Sequence, residues 1–189
     1  MLAAALSVVC IITMLFGDSA RQRLRYDRSA LEAGQWWRVL TAHIVHLGVT
    51  HTLMNLAAFV LVVLLFRHDL RIREWIGGGL ASAAAIGIGL YTLAPETLWY
   101  VGLSGVLHGW FALGALRVTE TQRGFGLLLV GAIIVKLAYE QARGANPATL
   151  ALHIGPVVVD AHLYGAIGAA AFYIGWRAGS LAAGASRSL

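Results

Sequence analysis

The chain has 189 residues, of which 59% are hydrophobic and only 12% are charged, and its formal net charge is +5. A soluble domain has about 25% charged residues, so this composition excludes an ordinary soluble protein and indicates lipid as the solvent. The basic residues fall in short segments between apolar runs, which is typical of membrane-flanking charge and argues against a nucleic-acid partner. The one cysteine, Cys10, has no partner for a disulfide, and we expect a buried, inert thiol.

Six apolar stretches predict an all-α, polytopic membrane protein with six transmembrane helices. Each stretch is somewhat shorter than the roughly 20 residues that span a bilayer without strain, and no alternating barrel pattern is present. We interpret the first stretch as a helix rather than a signal peptide, because it has no basic flank. We expect one membrane domain over residues 1–178 and a short, disordered tail over 179–189. The stretches are about Leu2–Phe16, Thr50–Phe66, Trp75–Leu93, Val101–Val118, Phe125–Tyr139 and Ala161–Trp176.

The connections between the stretches leave the orientation open. The first loop, from Gly17 to Val49, is long and rich in arginine. With six helices both termini lie on one side, and that side carries seven arginines against six on the other. Positive charge orients a membrane protein only when it is unevenly distributed between the two sides. The arginine count therefore does not determine the orientation of this chain.

Polar residues collect at the starts of the second, fourth and sixth stretches, which run in the same direction. With a rise of 1.5 Å per residue, Ser104 and His162 lie within about one turn of the same depth. Polar side chains are costly in a membrane and usually face a cavity, so this convergence predicts a functional site. The residues are His46, His51 and Asn55, then Ser104, then Asp160 and His162.

Ser104 lies in the sequence Gly102-Leu103-Ser104-Gly105, a motif that is weak by itself. A serine hydroxyl becomes a useful nucleophile only when a base removes its proton, and His162 is the candidate base. The alternative is a structural serine that bonds back to the carbonyl group four residues earlier.

Small residues recur every fourth position on the fourth and sixth stretches. Gly105 and Gly109 lie on the fourth, and Ala161, Gly165 and Ala169 on the sixth. Such faces let two membrane helices approach closely. They therefore predict contact between the helices of Ser104 and His162, although packing alone would also explain them.

His51 and Asn55 are four residues apart and share one helix face. Acyl transfer needs hydrogen-bond donors aimed at the developing oxyanion, and these side chains could join the Ser104 backbone N–H in an oxyanion hole. The alternative is an interhelical hydrogen bond that only holds the second helix.

The remaining titratable residues predict no further chemistry. Asp160 is two residues from His162 and is expected to be an N-cap. Lys136 and Glu140 are expected to form a snorkelling pair near the surface. No H-E-x-x-H sequence and no Cys/His cluster with ligand spacing is present, so we expect no metal and no other cofactor. We assign His43, His68 and His153 to loops.

Taken together, these motifs resemble the signature of rhomboid intramembrane proteases over about Gln35 to Gly175. The resemblance implies six helices, a Ser104–His162 dyad that opens to the outside of the membrane, and a cytoplasmic N-terminus. It also implies that the fifth helix is a lateral gate and that the loop before the sixth helix is a cap. The matching residues are Trp37-Arg38, His46, His51-x-x-x-Asn55, Gly102-x-Ser104-Gly105 and Ala161-His162-x-x-Gly165-x-x-x-Ala169.

The stretch from Ser104 to Gly109 is similar to the bacterial rhombosortase branch of that family. This similarity implies an inner-membrane enzyme, with its active site on the periplasmic side. The implied substrates are membrane-anchored proteins that end in Gly-Gly, a helix and a basic cluster. His108 stands where many rhomboids have an aromatic residue that packs on the catalytic histidine. It shares a helix face with Ser104 and is a rival base, although the family match favours His162.

Three other interpretations remain open. An ordinary rhomboid would use the same chemistry on other membrane-anchored proteins. A non-enzymatic relative would bind membrane helices without cutting them, but such relatives usually lack the serine or the histidine. A small transporter is disfavoured, because paired broken helices are absent and few charges lie within the apolar stretches.

Overall fold

The computed structural model describes residues 2–145, 147 and 156–185, and these residues are mostly helical. Each of the six apolar stretches contains a helix, as the sequence predicted. In chain order the elements are α1 (Leu2–Leu15), α2 (Gly17–Leu24), β1 (Tyr26–Asp27), α3 (Arg28–Glu32), α4 (Arg38–Thr41), a 3₁₀ helix (Ala42–Ile44), α5 (Val49–Phe66), α6 (Ile72–Leu93), β2 (Trp99–Tyr100), α7 (Ser104–Thr121), α8 (Arg123–Arg143) and α9 (Val159–Ala185).

Within the described residues, α5, α6 and α8 are long and apolar enough to cross a membrane. The pair α1 and α2, bent by 114° at the break between them, would be a fourth span if it crosses as one unit. The helices α7 and α9 do not meet the same test, because small and polar residues lower their hydropathy. Length and composition therefore support three or four spans, and six spans remain a prediction.

The end of the chain differs from the expected disordered tail. Helix α9 continues to Ala185, six residues past the predicted start of the tail at residue 179. The last four residues and most of the loop between α8 and α9, including His153, lie outside the described residues.

The first loop contains α2, α3, α4, the 3₁₀ helix and the short strand β1. Strand β1 pairs antiparallel with β2, so that Tyr26 lies opposite Tyr100. The Arg28 guanidinium group donates hydrogen bonds to three carbonyl oxygens at the end of α6, at 2.7 to 3.2 Å. Such carbonyl groups have no partner within their own helix. The loop is thereby anchored to α6 and lies beside the start of α7.

Helix α7 lies at the centre and packs against α5, α6, α8 and α9. It approaches α9 at backbone distance. A Cβ atom on Gly105 would lie 2.8 Å from the Ala161 carbonyl oxygen, and one on Gly165 would lie 2.1 Å from the Gly105 carbonyl oxygen. Neither position has room for a larger residue, so the two glycines allow the starts of α7 and α9 to touch.

Candidate active site

Ser104 and His162 lie opposite each other at the start of two neighbouring helices. Ser104 is the first residue of α7, and His162 lies in the first turn of α9. The Ser104 Oγ atom is 3.1 Å from His162 Nε2, which is hydrogen-bonding distance. The backbone contact between α7 and α9 fixes this separation, because it leaves neither helix free to shift toward the other.

The peptide group of Gly102, just before the serine, is held on both sides. Its N–H donates to the Ala42 carbonyl oxygen at 2.9 Å. Its carbonyl oxygen accepts from the Tyr100 hydroxyl at 2.7 Å and lies 3.3 Å from His43 Nδ1. Gly102 has φ +118°, in the left-handed region that favours glycine. These contacts set the direction in which α7 begins.

Two buried histidines outside the membrane-spanning segments serve as neutral hydrogen-bonding groups. Burial lowers the pKa of His43 to about 4 and that of His46 to about 3. A neutral ring has one donor and one acceptor nitrogen. His43 can therefore donate to the Gly102 carbonyl oxygen, while His46 Nε2 accepts the Leu103 backbone N–H at 3.3 Å. His43 lies in the 3₁₀ helix and is a buried support of the site rather than a loop residue, whereas His68 lies in the turn after α5.

His51 and Asn55 lie on the face of α5 that points toward the start of α7. His51 Nδ1 accepts the Leu47 backbone N–H at 3.3 Å, which leaves Nε2 as the protonated nitrogen. That nitrogen would lie 3.0 Å from a Cβ atom on Gly102. Asn55 donates one N–H of its carboxamide to the His51 carbonyl oxygen at 3.0 Å. The second N–H of the carboxamide takes no part in this bond.

His108 packs on His162 and does not contact the serine hydroxyl. The two rings are stacked, with centroids 4.0 Å apart and planes 13° apart. His108 Nδ1 lies 2.7 Å from the backbone carbonyl oxygen of Ser104, which ties it to its own helix. His108 therefore occupies the place of a packing ring, and His162 is the histidine whose ring nitrogen lies at hydrogen-bonding distance from the serine hydroxyl.

Glu140, which the sequence placed in a surface pair, is 5% exposed and reaches the site from α8. Its Oε2 atom lies 2.9 Å from His162 Nδ1, and its Oε1 atom accepts from Lys136 Nζ at 2.6 Å. The pair with Lys136 therefore exists, but its carboxylate is buried. Asp160, the predicted N-cap, is the second residue of α9 and lies inside the helix rather than before it.

The ligand atoms of His108, Glu140 and His162 lie within 4.8 Å of one another, a spacing that a metal ion could use. An imidazole binds a metal through a lone pair in the plane of its ring. Because the two rings are stacked, their lone pairs lie in nearly parallel planes and do not converge on one ion. This arrangement fits a proton-transfer site better than a metal centre.

A cavity of about 580 Å³ opens onto these residues. It is bounded by α5, α7, α8 and the segments before α7 and α9, and its wall is mainly apolar. The predicted site residues in its wall are His51, Asn55, Ser104, His108 and His162. A candidate nucleophile, a candidate base and candidate oxyanion donors therefore face one space large enough for a short peptide segment, which is the arrangement that acyl transfer requires.

The site lies within a region that matches a known family model. The model of the Rhomboid domain matches residues 33–178, which is more than half of the chain. A relative from Bacillus subtilis (strain 168), named "Putative rhomboid protease YdcA", is 28% identical over 106 residues, or 56% of this chain. The chain spans about half (53%) of that relative. No solved structure matches the chain. The chain therefore belongs to the rhomboid family and is a multi-pass integral membrane protein.

Proposed function

We propose that this protein is an intramembrane serine protease in which Ser104 is the nucleophile and His162 the general base. The observation that carries the proposal is the 3.1 Å separation between Ser104 Oγ and His162 Nε2 at the wall of the cavity. Family membership supports it, since the rhomboid family suggests intramembrane proteolysis.

The reaction proceeds in two acyl-transfer steps. His162 takes the proton of Ser104 as Oγ attacks the scissile carbonyl carbon, and the protonated imidazole then gives that proton to the leaving amine. The released amine leaves an acyl-enzyme on Ser104. Water, or another amine, attacks the acyl-enzyme with His162 again as base. The bond between the acyl carbon and Ser104 Oγ then breaks, and His162 returns the proton to Oγ. The chemistry uses no metal or organic cofactor.

The oxyanion of each tetrahedral intermediate is stabilised by donors from α5 and α7. The backbone N–H of Ser104 is at the first turn of α7, where amide groups have no partner within the helix and the helix dipole favours negative charge. His51 Nε2–H and the second Asn55 N–H are the side-chain donors. These groups are in place before charge develops, which is what makes an oxyanion hole effective.

The membrane arrangement we propose is a bundle of six spans over residues 1–178, in the bacterial inner membrane, with the cavity open to the periplasmic side. The family match over residues 33–178 supports a single protease domain. Helices α1, α7 and α9 cross the membrane in this arrangement together with α5, α6 and α8. The small and polar residues that lower the hydropathy of α7 and α9 include many that pack against neighbouring helices. Buried residues line most of the described length of α7, which supports this arrangement.

The substrates we propose are membrane-anchored proteins that end in Gly-Gly, a transmembrane helix and a basic cluster, as in the rhombosortase branch. The stretch from Ser104 to Gly109 supports this proposal through its similarity to that branch. The alternative is a general rhomboid protease that cuts other membrane-anchored proteins.

The test uses the full chain in detergent with two reporters, one bearing a Gly-Gly, helix and basic tail and one bearing another transmembrane anchor. We expect wild-type cleavage of the first, and no cleavage by Ser104→Ala or His162→Ala, with a double variant no worse, because the pair acts as a unit. His108→Ala should lose less activity than His162→Ala. A fluorophosphonate probe should label Ser104 in the wild type.

Each alternative has its own outcome in that experiment. Cleavage of only the second reporter would assign a general rhomboid specificity. Full activity of Ser104→Ala would disprove the nucleophile, and a stronger effect of His108→Ala than of His162→Ala would move the base to His108. A wild-type protein that neither cleaves nor reacts with the probe would be a non-enzymatic relative.

A further inference from the structure

A continuous row of polar side chains runs from the serine to the surface of α8. Ser104 Oγ lies 3.1 Å from His162 Nε2, and His162 Nδ1 lies 2.9 Å from Glu140 Oε2. Glu140 Oε1 then lies 2.6 Å from Lys136 Nζ. The four residues come from α7, α9 and α8, so this row depends on the packing of three helices.

The position of Glu140 determines which nitrogen of His162 can act as a base. A neutral imidazole carries one N–H group and one lone pair. A carboxylate only accepts hydrogen bonds, so Glu140 requires the proton of His162 to be on Nδ1. The lone pair is then on Nε2, the nitrogen that faces Ser104. The same carboxylate lies beside the positive charge that His162 acquires when it takes the serine proton.

The burial of Glu140 is compensated by Lys136. Glu140 is 5% exposed, and a buried carboxylate without a partner is strongly unfavourable. The Lys136 ammonium group supplies the opposite charge on one oxygen, and its side chain is 47% exposed at the wall of the cavity. The second oxygen is thereby left for His162.

The other nearby acid does not occupy this position. Asp160 is two residues from His162 on the same helix, so the two side chains point in different directions. It is only partly buried, and the atom at His162 Nδ1 belongs to Glu140. Of these two acids, Glu140 alone has the geometry to orient the base.

We propose that Glu140 is a positioning residue that holds His162 in its active tautomer, and that Lys136 holds Glu140. This inference rests on the proposed function and extends the Ser104–His162 pair to a Ser–His–Glu arrangement supported by a lysine. Glu140 lines the same cavity, but its two oxygens are taken by His162 and Lys136, so it acts through His162.

The test measures kcat and KM for the tail-bearing reporter, the rate of Ser104 labelling by fluorophosphonate, and the melting temperature. It uses the full chain with Glu140→Gln, Glu140→Asp, Lys136→Met and Asp160→Asn. Glu32→Gln is the matched control, because Glu32 is an exposed residue at the end of α3.

We expect Glu140→Gln to lower kcat by about 10²–10⁴-fold with little change in KM, because a carboxamide can donate to Nδ1 and favour the wrong tautomer. Labelling of Ser104 should slow in parallel. Glu140→Asp should recover part of the rate, and Lys136→Met should lose less than Glu140→Gln. Asp160→Asn and Glu32→Gln should stay close to the wild type.

A purely structural Glu140 would give a different result. Glu140→Gln would then melt earlier but keep its single-turnover rate within about threefold at low temperature, and that outcome would overturn the proposal. Other outcomes would disprove the proposed function itself. These are a wild-type protein that neither cleaves the reporter nor reacts with the probe, and a Ser104→Ala variant that still cleaves. If Glu140→Gln were fully active while Ser104→Ala was inactive, the role of Glu140 would be refuted and the proposed function would stand.

Discussion

The substitution Gly165→Ala tests whether the backbone contact between α7 and α9 sets the geometry of the active site. The added Cβ atom would lie 2.1 Å from the Gly105 carbonyl oxygen, whereas real Cβ atoms come no closer than 3.0 Å. The helices must therefore separate by about 0.9 Å at this point. No side chain can rotate away to relieve the contact, because the opposing atom belongs to the backbone.

His162 lies one turn before Gly165 and should move with it. A shift of this size would lengthen the 3.1 Å separation between Ser104 Oγ and His162 Nε2 to about 4 Å, beyond hydrogen-bonding distance. A misplacement of about 1 Å can cost 10²-fold in rate. We expect Gly165→Ala to cleave at least about 10²-fold more slowly, while overpacking lowers its stability by about 1–3 kcal/mol.

Gly175→Ala is the matched control, since it makes the same change on the same helix where nothing lies within 4 Å. It should cleave at the wild-type rate and melt no earlier. The measurements are the single-turnover rate in detergent, taken well below the melting temperature of each variant, and the melting temperature itself. If Gly165→Ala retained half or more of the wild-type rate, the packing contact would not control the catalytic distance.

Two further predictions concern the oxyanion donors and the first loop. Asn55→Ala should lower turnover by about 10²–10³-fold through the loss of one oxyanion donor, without preventing the labelling of Ser104. A lower melting temperature with a normal single-turnover rate would instead make Asn55 a structural residue. Arg28→Met removes three hydrogen bonds to carbonyl oxygens at the end of α6 and should lower the melting temperature, whereas Arg23→Met, at an exposed position of α2, should not; equal melting temperatures would show that the Arg28 contacts contribute nothing.

The sequence predicted the features of the site that depend on one face of a helix or on the direction in which a helix runs. The spacing of Gly105, Gly109 and Gly165 predicted which faces of α7 and α9 meet, because small residues at every fourth position lie on one face. The common direction of the second, fourth and sixth stretches predicted that Ser104 and His162 lie at one depth. Neither inference needed knowledge of the rest of the chain.

The missed features depend on contacts between distant parts of the chain. Lys136 and Glu140 are four residues apart, and such a pair looks the same in sequence whether it faces lipid, water or a protein core. The rotation of α8 about its axis, which decides the matter, is set by tertiary packing. His43 was missed for the same reason, since 59 residues separate it from Gly102 in the chain.

The division of the polar row among three helices has a mechanical consequence. Ser104 and His162 lie on two helices whose backbones touch, so their separation resists deformation. Glu140 lies on α8, which takes no part in that contact. Any outward movement of α8 would remove the carboxylate from His162 while the serine and the histidine stayed in place. The protein would then keep an assembled nucleophile and base but lose the orientation of the base, so that its reactivity would report the position of one helix in the bilayer.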